Sequence, residues 1–243
     1  MQILVAPDGS RFLAADRGEV DAWDLQARKS IGKFRIAPAE RVHSLTAEGS
    51  LFTVDPKGGL LEYDVLQGTV KSKWVTKDGN AVRIYHQRWA LFRPKDDRYE
   101  IWDLPARKKI AEVKTDFDAL GISPDGTRLY AEKQHSVADP QTQESTIESS
   151  TLVVIEIPSG RTIKTATFKG CAWSFSVDPS GRTLGVWGLL NNHFTLLDAS
   201  NLQELDRFKV EEVKGVVFSP DGRVLALNCL AEESAVVLAI KTR

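Results

Sequence analysis

Cysteine, methionine and net charge are what this chain has least of. Of 243 residues, two are cysteine and one is methionine. Two thiols, Cys171 and Cys229, are too few for a disulfide framework and suit a reducing compartment. Each stands in an apolar strand context, so a buried structural thiol is expected, with a bridge between neighbouring repeats as the lesser alternative. The 32 basic and 33 acidic residues nearly cancel, so nothing steers the chain toward a polyanion or an anionic membrane surface, and neither nucleic acid nor membrane is an expected partner. No run approaches the roughly 18 apolar residues of a membrane-spanning helix. The N-terminus, Met-Gln-Ile-Leu-Val-Ala-Pro-Asp-Gly, enters a strand at once and lacks the basic and long apolar regions of a signal peptide. There is no Asn-x-Ser/Thr sequon. A soluble, cytoplasmic chain is expected.

Chemistry-bearing motifs are also missing. There is no glycine-rich phosphate cradle and no calcium loop. His43, His86, His135 and His193 fall in different parts of the chain without metal-ligand spacing, so no metal site is expected. Ser30-Ile31-Gly32-Lys33 matches an S-x-x-K pattern, but it lies on an expected strand and has no partner motif, so it is a coincidence. No cofactor and no catalytic residue are expected.

What is present is one hairpin, repeated. In Val216-Val217-Phe218-Ser219-Pro220-Asp221-Gly222-Arg223-Val224-Leu225-Ala226-Leu227, two apolar runs flank a turn. β-Branched and aromatic side chains suit a pleated surface. Pro220 pre-sets φ for a type I turn, Asp221 can bond its own backbone, and Gly222 can take the positive φ that follows. Both runs are apolar without alternation, which predicts burial on both faces.

The turn recurs at Pro7-Asp8-Gly9, Pro124-Asp125-Gly126, Pro179-Ser180-Gly181 and Pro220-Asp221-Gly222, with weaker versions at Ala47-Glu48-Gly49-Ser50 and His86-Gln87-Arg88. Positions 7, 47, 86, 124, 179 and 220 are separated by 40, 39, 38, 55 and 41 residues. A period near 40 marks a repeat array such as a propeller. An apolar-acidic-apolar run closes a third strand in the first five repeats: Trp23-Asp24-Leu25, Tyr63-Asp64-Val65, Trp102-Asp103-Leu104, Ile155-Glu156-Ile157 and Leu197-Asp198-Ala199. The sixth has Leu238-Ala239-Ile240, without the acid. Outer strands follow, several alternating polar and apolar. Four strands per repeat, six repeats and no helical period predict an all-β, single β-propeller of about six four-stranded antiparallel blades around a channel. The blades span roughly 1–36, 41–75, 81–114, 118–168, 172–209 and 214–243.

These repeats resemble WD40 repeats, and more broadly the WD40/YVTN-like propellers. Trp23-Asp24 and Trp102-Asp103 match the WD dipeptide, and the Ser-Pro-Asp-Gly turns match the family's first hairpin. The resemblance covers nearly the whole chain and is specific for fold, not for function. The family's Gly-His pair before the first strand is absent. Only His43, preceded by Val42, falls in that region, so the family's buried His-Ser-Trp-Asp network is not expected here.

Two irregularities stand out. The family closes its ring by lending an N-terminal strand to the last blade, and this chain starts directly in an innermost strand. The last blade then has three strands, or the chain is a segment of a larger propeller, or a partner covers the edge; self-association is a further outcome of an open edge. The stretch 133–151, rich in Ser, Thr, Gln and Glu, is expected as a long surface loop in blade four, with a partner-gripping role as the alternative.

Aligning the repeats places Arg41, Asp118, Trp173 and Lys214 where first strands begin. It places Asp16, Asp55, Arg93, Lys133, Trp187 and Asn228 where second strands end. The resemblance implies that partners use these two rings, on the face usually called the top. Trp and Arg dominate interface energetics when a partner buries them, although Trp173 and Trp187 also suit packing between blades. The expected function is a non-catalytic scaffold for a peptide or protein partner. The alternatives are a lactonase-like or quinoprotein-like propeller enzyme with a site in the channel, for which Trp173 beside Lys214 is the one faint hint, and a structural segment of a larger propeller.

Overall fold

The computed structural model describes residues 2–6, 8–74, 82–95, 97–138, 145–170, 172–188, 193–210, 213–219, 221–229 and 235–239. Pro7, Cys171 and Pro220 lie outside this set, as do the side chains of Trp173 and Lys214. The chain divides into two compact units, Met1–Glu112 and Val113–Arg243. Each contains three antiparallel sheets of β-propeller type, built from consecutive strands.

In the first unit, blade one holds β1 (Gln2–Val5), β2 (Arg11–Asp16), β3 (Glu19–Asp24) and β4 (Lys29–Arg35). Blade two holds β5 (Arg41–Leu45), β6 (Ser50–Val54), β7 (Leu60–Asp64) and β8 (Thr69–Trp74). Blade three holds β9 (Val82–Tyr85), β10 (Trp89–Lys95), β11 (Arg98–Asp103) and β12 (Lys108–Lys114), the last crossing the unit boundary.

In the second unit, blade four holds β13 (Asp118–Ile122), β14 (Arg128–Ala138), β15 (Ser145–Glu156) and β16 (Thr162–Lys169). Blade five holds β17 (Ala172–Val177), β18 (Thr183–Gly188), β19 (His193–Asp198) and β20 (Glu204–Lys209). Blade six has three strands, β21 (Val213–Phe218), β22 (Val224–Cys229) and β23 (Ala235–Ala239).

The first hairpin forms by local chemistry. In blade four, Gly126 N–H donates to the Ser123 carbonyl at 2.9 Å, and Gly126 takes φ +73°. Asp125 Oδ1 accepts from Ser123 Oγ (2.6 Å), Thr127 N (3.0 Å) and Thr127 Oγ1 (2.8 Å). This is a type I turn followed by a left-handed residue, which matches the strand twist. Blade five inverts the roles. Asp178 replaces the serine, and its Oδ1 accepts from Arg182 N and Thr183 N, both at 2.7 Å. In blade three, His86 and Gln87 both adopt positive φ, +50° and +54°, which gives a mirror-image two-residue turn without glycine.

The acid of the apolar-acidic-apolar run also works locally. Asp24, Asp64, Asp103 and Asp198 each accept backbone N–H bonds from residues two or three positions on. The next residue bonds back to the first hairpin, as in Leu104 N to Arg88 O at 2.9 Å. The run is therefore a turn cap, which frees the outer strand to fold back.

Cores lie between successive blades within each unit. Leu13, Ala15, Val20 and Ala22 of blade one meet Leu45, Leu51, Leu61 and Tyr63 of blade two. Phe52 and Leu60 meet Ala90, Phe92 and Leu104. In the second unit, Tyr130, Leu152 and Val154 meet Val177, Leu184, Val186 and Leu197, and Trp187, Phe194 and Leu196 meet Phe218, Leu225 and Leu227.

Two expectations are corrected. The stretch 133–151 is not a long loop. β14 and β15 stay paired from Arg128↔Glu156 to Ala138↔Ser145; only 139–144 within it lies outside the described residues. Its low apolar content suggested a loop, but a ribbon needs only backbone partners, and Val137, Thr146, Ile147 and Thr151 are β-branched residues that favour one. Burial on both faces also fails in the last blade. Phe218, Leu225 and Leu227 are buried, whereas Val217 is 66% exposed and Val237 65% exposed. Phe218, Leu225 and Leu227 belong to the face of this sheet that packs on blade five.

Candidate functional site

In the first unit, the ends of the blades where first strands begin carry Asp16, Arg41, Asp55 and Arg93. Asp16 closes β2 and Arg41 opens β5, and both are exposed. The backbone before Arg41 is anchored by Glu40, whose carboxylate accepts from Thr53 Oγ1 at 2.7 Å and from Tyr63 Oη at 3.1 Å. Burial and the Glu40 charge push the Tyr63 phenol up to about 12, so it remains a donor. The Arg93 guanidinium lies 5.3 Å from the ring centroid of buried Tyr99.

Asp55 has a different task. Its Oδ1 accepts from Lys57 N and Gly59 N, both at 2.8 Å, and its Oδ2 lies 3.5 Å from Lys73 Nζ. Burial pushes the carboxyl up, but the Gly59 and Lys57 amides and the Lys73 ammonium outweigh it and hold Asp55 below the usual range. It builds the turn between β6 and β7 and is a poor candidate for partner contact.

Beside Asp16, an open groove of about 440 Å³ crosses blade one, lined by Ala14, Glu19, Asp21, Lys33 and Arg35 among others. Its cations are already matched: Lys33 to Asp21 at 3.2 Å and Arg35 to Glu19 at 2.6 Å.

In the second unit, Asp118 opens β13 opposite buried Glu132, and Lys133 follows on β14. Lys133 pairs with the Asp116 carboxylate, and its ammonium stands 5.9 Å from the Phe117 ring centroid. The hydrogen bond from Lys133 keeps the Asp116 carboxyl below the usual range. Beyond this point β13 has ended, but β14 and β15 run on together. Residues 133–137 are all exposed. His135 Nε2 and Thr151 Oγ1 lie 2.8 Å apart across the ribbon. The result is an arm projecting from the end of the blade that carries Asp118. Sequence reasoning singled out this stretch but not its form.

Of the remaining candidates, Asn228 is exposed, opposite Gly215. Trp187 is corrected: it is 7% exposed, packed with Phe194, Leu196 and Leu227 between blades five and six. It is a packing residue, because its ring faces the neighbouring blade. The side chains of Trp173 and Lys214 lie outside the described residues.

A polar cluster that the sequence did not suggest sits between blades two and three. Glu62, 8% exposed, accepts from Ser50 Oγ at 2.7 Å and Ser72 Oγ at 2.6 Å, with Lys71 Nζ at 3.7 Å and Arg107 Nη2 at 3.3 Å. It is fully partnered and structural. Its outline was visible only as a glutamate inside a strand of leucines. Among the described residues, no group of three or more His, Cys, Asp or Glu side chains is placed to hold a metal ion, and no helix is long and apolar enough to cross a membrane.

No family model and no curated protein sequence matches the chain. Solved structures do. Hsv2 of Kluyveromyces marxianus superposes with a TM-score of 0.68 at 9% identity, covering 99% of this chain and 72% of that one. A Kluyveromyces lactis Hsv2 with loop 6CD replaced by a Gly-Ser linker gives 0.64 at 12%, covering 93% and 72%. Hydrazine synthase of Kuenenia stuttgartiensis gives 0.50 at 14%, covering 98% and 95%. At such identities these likenesses establish the β-propeller fold and nothing about activity.

Proposed function

We propose that this propeller is a non-catalytic scaffold that binds a peptide or protein through its blade ends, those bearing Asp16 and Arg41 in the first unit and those bearing Asp118 and Lys133 in the second, with the β14–β15 arm as the gripping element. The observation that carries this reading is the arm. Strands of 11 and 12 residues outrun the 4 to 7 of the other blades, and residues 133–137 of the surplus are all exposed. Exposed hydrogen-bonded backbone of this kind is costly to order unless something uses it. The mixed charges of the rim favour orientation and selectivity in a partner over bulk affinity.

The test is a capture experiment with two variants. In one, Ser136–Ile147 is replaced by an Asn-Gly turn; in the other, Arg41→Glu reverses a rim charge. Circular dichroism and unfolding midpoint establish that both fold. Loss of a specific captured protein with either variant supports the reading. Unchanged capture with both rejects it.

A further inference from the structure

We infer that the rim of the first unit, taken as a partner-binding surface as proposed above, recognises the carboxylates of an acidic partner segment, a stretch of protein chain rich in Asp or Glu.

Three cations mark the surface. Arg17 sits in the turn between β2 and β3, Arg41 opens β5, and Lys57 sits in the turn between β6 and β7; all three are exposed. Packing brings their backbones to one end of blades one and two. Ile36 N–H donates to the Gly18 carbonyl at 2.9 Å. A Cβ on Gly18 would stand 2.8 Å from the Ile36 carbonyl oxygen and 3.3 Å from Pro38 Cα. The Arg17-Gly18 turn is therefore seated on the link that leads to Arg41. Arg41 in turn pairs with Val54, the last residue of β6, and the Asp55–Gly59 turn that carries Lys57 follows directly.

The carboxylates at this end are already used. Glu19 holds Arg35 at 2.6 Å, and Glu40 accepts from the Thr53 and Tyr63 hydroxyls. Asp55 accepts two amides and faces Lys73, and Asp16 is engaged as well. Among the described residues, Arg17, Arg41 and Lys57 make no ion pair. The positive charge of this end is thus unmatched, which the overall net charge of −1 conceals. The opposite ends of the same blades differ. Arg28 and Lys29 are exposed there, but so is the unpaired carboxylate of Glu48.

The chemistry of the ligand follows. A guanidinium presents parallel N–H donors that match a carboxylate. The cations come from three separate segments, so a ligand that meets all of them is a chain with several carboxylates. Every aromatic ring of blades one and two is buried or half-buried. Bases would find no stacking platform there, so a single-stranded nucleic acid offers the charge without the contacts. Exposed ion pairs are individually weak and screened by salt, so binding is spread over the cations and falls as salt rises.

The probe is fluorescein-labelled hexaglutamate, titrated with the intact chain by anisotropy, with hexaglutamine as its neutral counterpart. Saturable, salt-sensitive binding is expected for the first and none for the second. Arg17→Ala/Arg41→Ala should weaken it about tenfold, and Lys57→Ala should weaken it less. Arg28→Ala/Lys29→Ala removes the same charge from the other end of blade one and should leave it unchanged. Circular dichroism establishes that each variant folds. Absence of saturable binding overturns the inference. Equal weakening by the two double variants also overturns it, because the attraction is then to charge at large. A labelled oligothymidylate that binds as tightly, and is lost in Arg17→Ala/Arg41→Ala, would make nucleic acid the ligand and overturns it too. Capture of a protein that is lost with Arg41→Glu, without hexaglutamate binding, leaves the rim as a docking face and rejects only its acid chemistry. Hexaglutamate binding with capture unchanged by Arg41→Glu and by the arm variant supports the acid chemistry and rejects the rim as the surface that the captured protein uses.

Discussion

His43 Nε2, on the innermost strand of blade two, accepts a hydrogen bond of 3.3 Å from the backbone N–H of Ile84, on the innermost strand of blade three. The imidazole can make this bond only when neutral, with its proton on Nδ1. Burial holds its pKa below the ordinary 6.5, helped by the Arg83 charge, against its own backbone contact, which raises it. The unfolded chain therefore takes up a proton before the folded one does. Stability is complete above about pH 6.5 and falls as pH drops through that value toward the lower folded pKa. Urea midpoints of the wild type and of His43→Gln, compared from pH 8 to pH 5, are expected to show a drop below 6.5 that the variant lacks.

Glu62 gives the opposite test at lower pH. Burial pushes its carboxyl up, but the Ser72 and Ser50 hydroxyls and the Lys71 and Arg107 charges outweigh burial and hold it below 4.5. Its contribution is therefore present above pH 4.5 and lost as pH falls through the folded pKa. Glu62→Ala leaves two hydroxyls and two cations without their shared acceptor and should cost about 2–3 kcal/mol, discounted because Lys71 and Arg107 are half-exposed. Glu62→Gln should cost less. Denaturant unfolding at pH 7 measures both.

Trp187→Ala should cost about 3–5 kcal/mol by opening a cavity between blades five and six, whereas Arg41→Ala should stay within about 0.5 kcal/mol. Equal costs would mean that rim and core are assigned the wrong way round.

Two glycines separate strain from clash. Gly9 has φ +67° and open space where a Cβ would stand, so Gly9→Ala should cost about 1 kcal/mol from backbone conformation alone. At Gly185 a Cβ would stand 2.6 Å from the Phe194 ring, so Gly185→Ala should cost about 1–3 kcal/mol by overpacking. Unfolding midpoints give the order directly.

Much of the architecture was legible because its signals are local. Asp125 and Gly126 build their turn with neighbours two or three residues away, and Asp24 or Asp198 caps its turn the same way, so sequence spacing alone located them. The β14–β15 arm was missed because polar strands held by backbone pairing leave no hydrophobic period. Trp187 could be placed near the rim but not oriented, since one step of strand register decides which face it takes. The exposure of Val217 was misread for a related reason: a doubly apolar strand announces two faces to be covered and does not say what covers them. The Glu62 cluster draws on three strands and a turn, a convergence that no linear pattern encodes.

The caps at the ends of the third strands have an evolutionary consequence. Asp24, Asp64, Asp103 and Asp198 accept their hydrogen bonds from within their own blades, so a segment of about 40 residues carries the turn chemistry it needs. Copying or excising one such segment orphans almost no turn amide elsewhere, although the apolar faces that neighbouring blades bury must find each other again. The exceptions are the few links that cross to a neighbour, such as Arg11 Nη1 to Ala47 O at 2.9 Å, His43 to Ile84 and Arg107 to Glu62. Blade number is thus a quantity that gene duplication can vary, and links such as these, with the cores between blades, are where a lineage that changed it would have had to mend the seams.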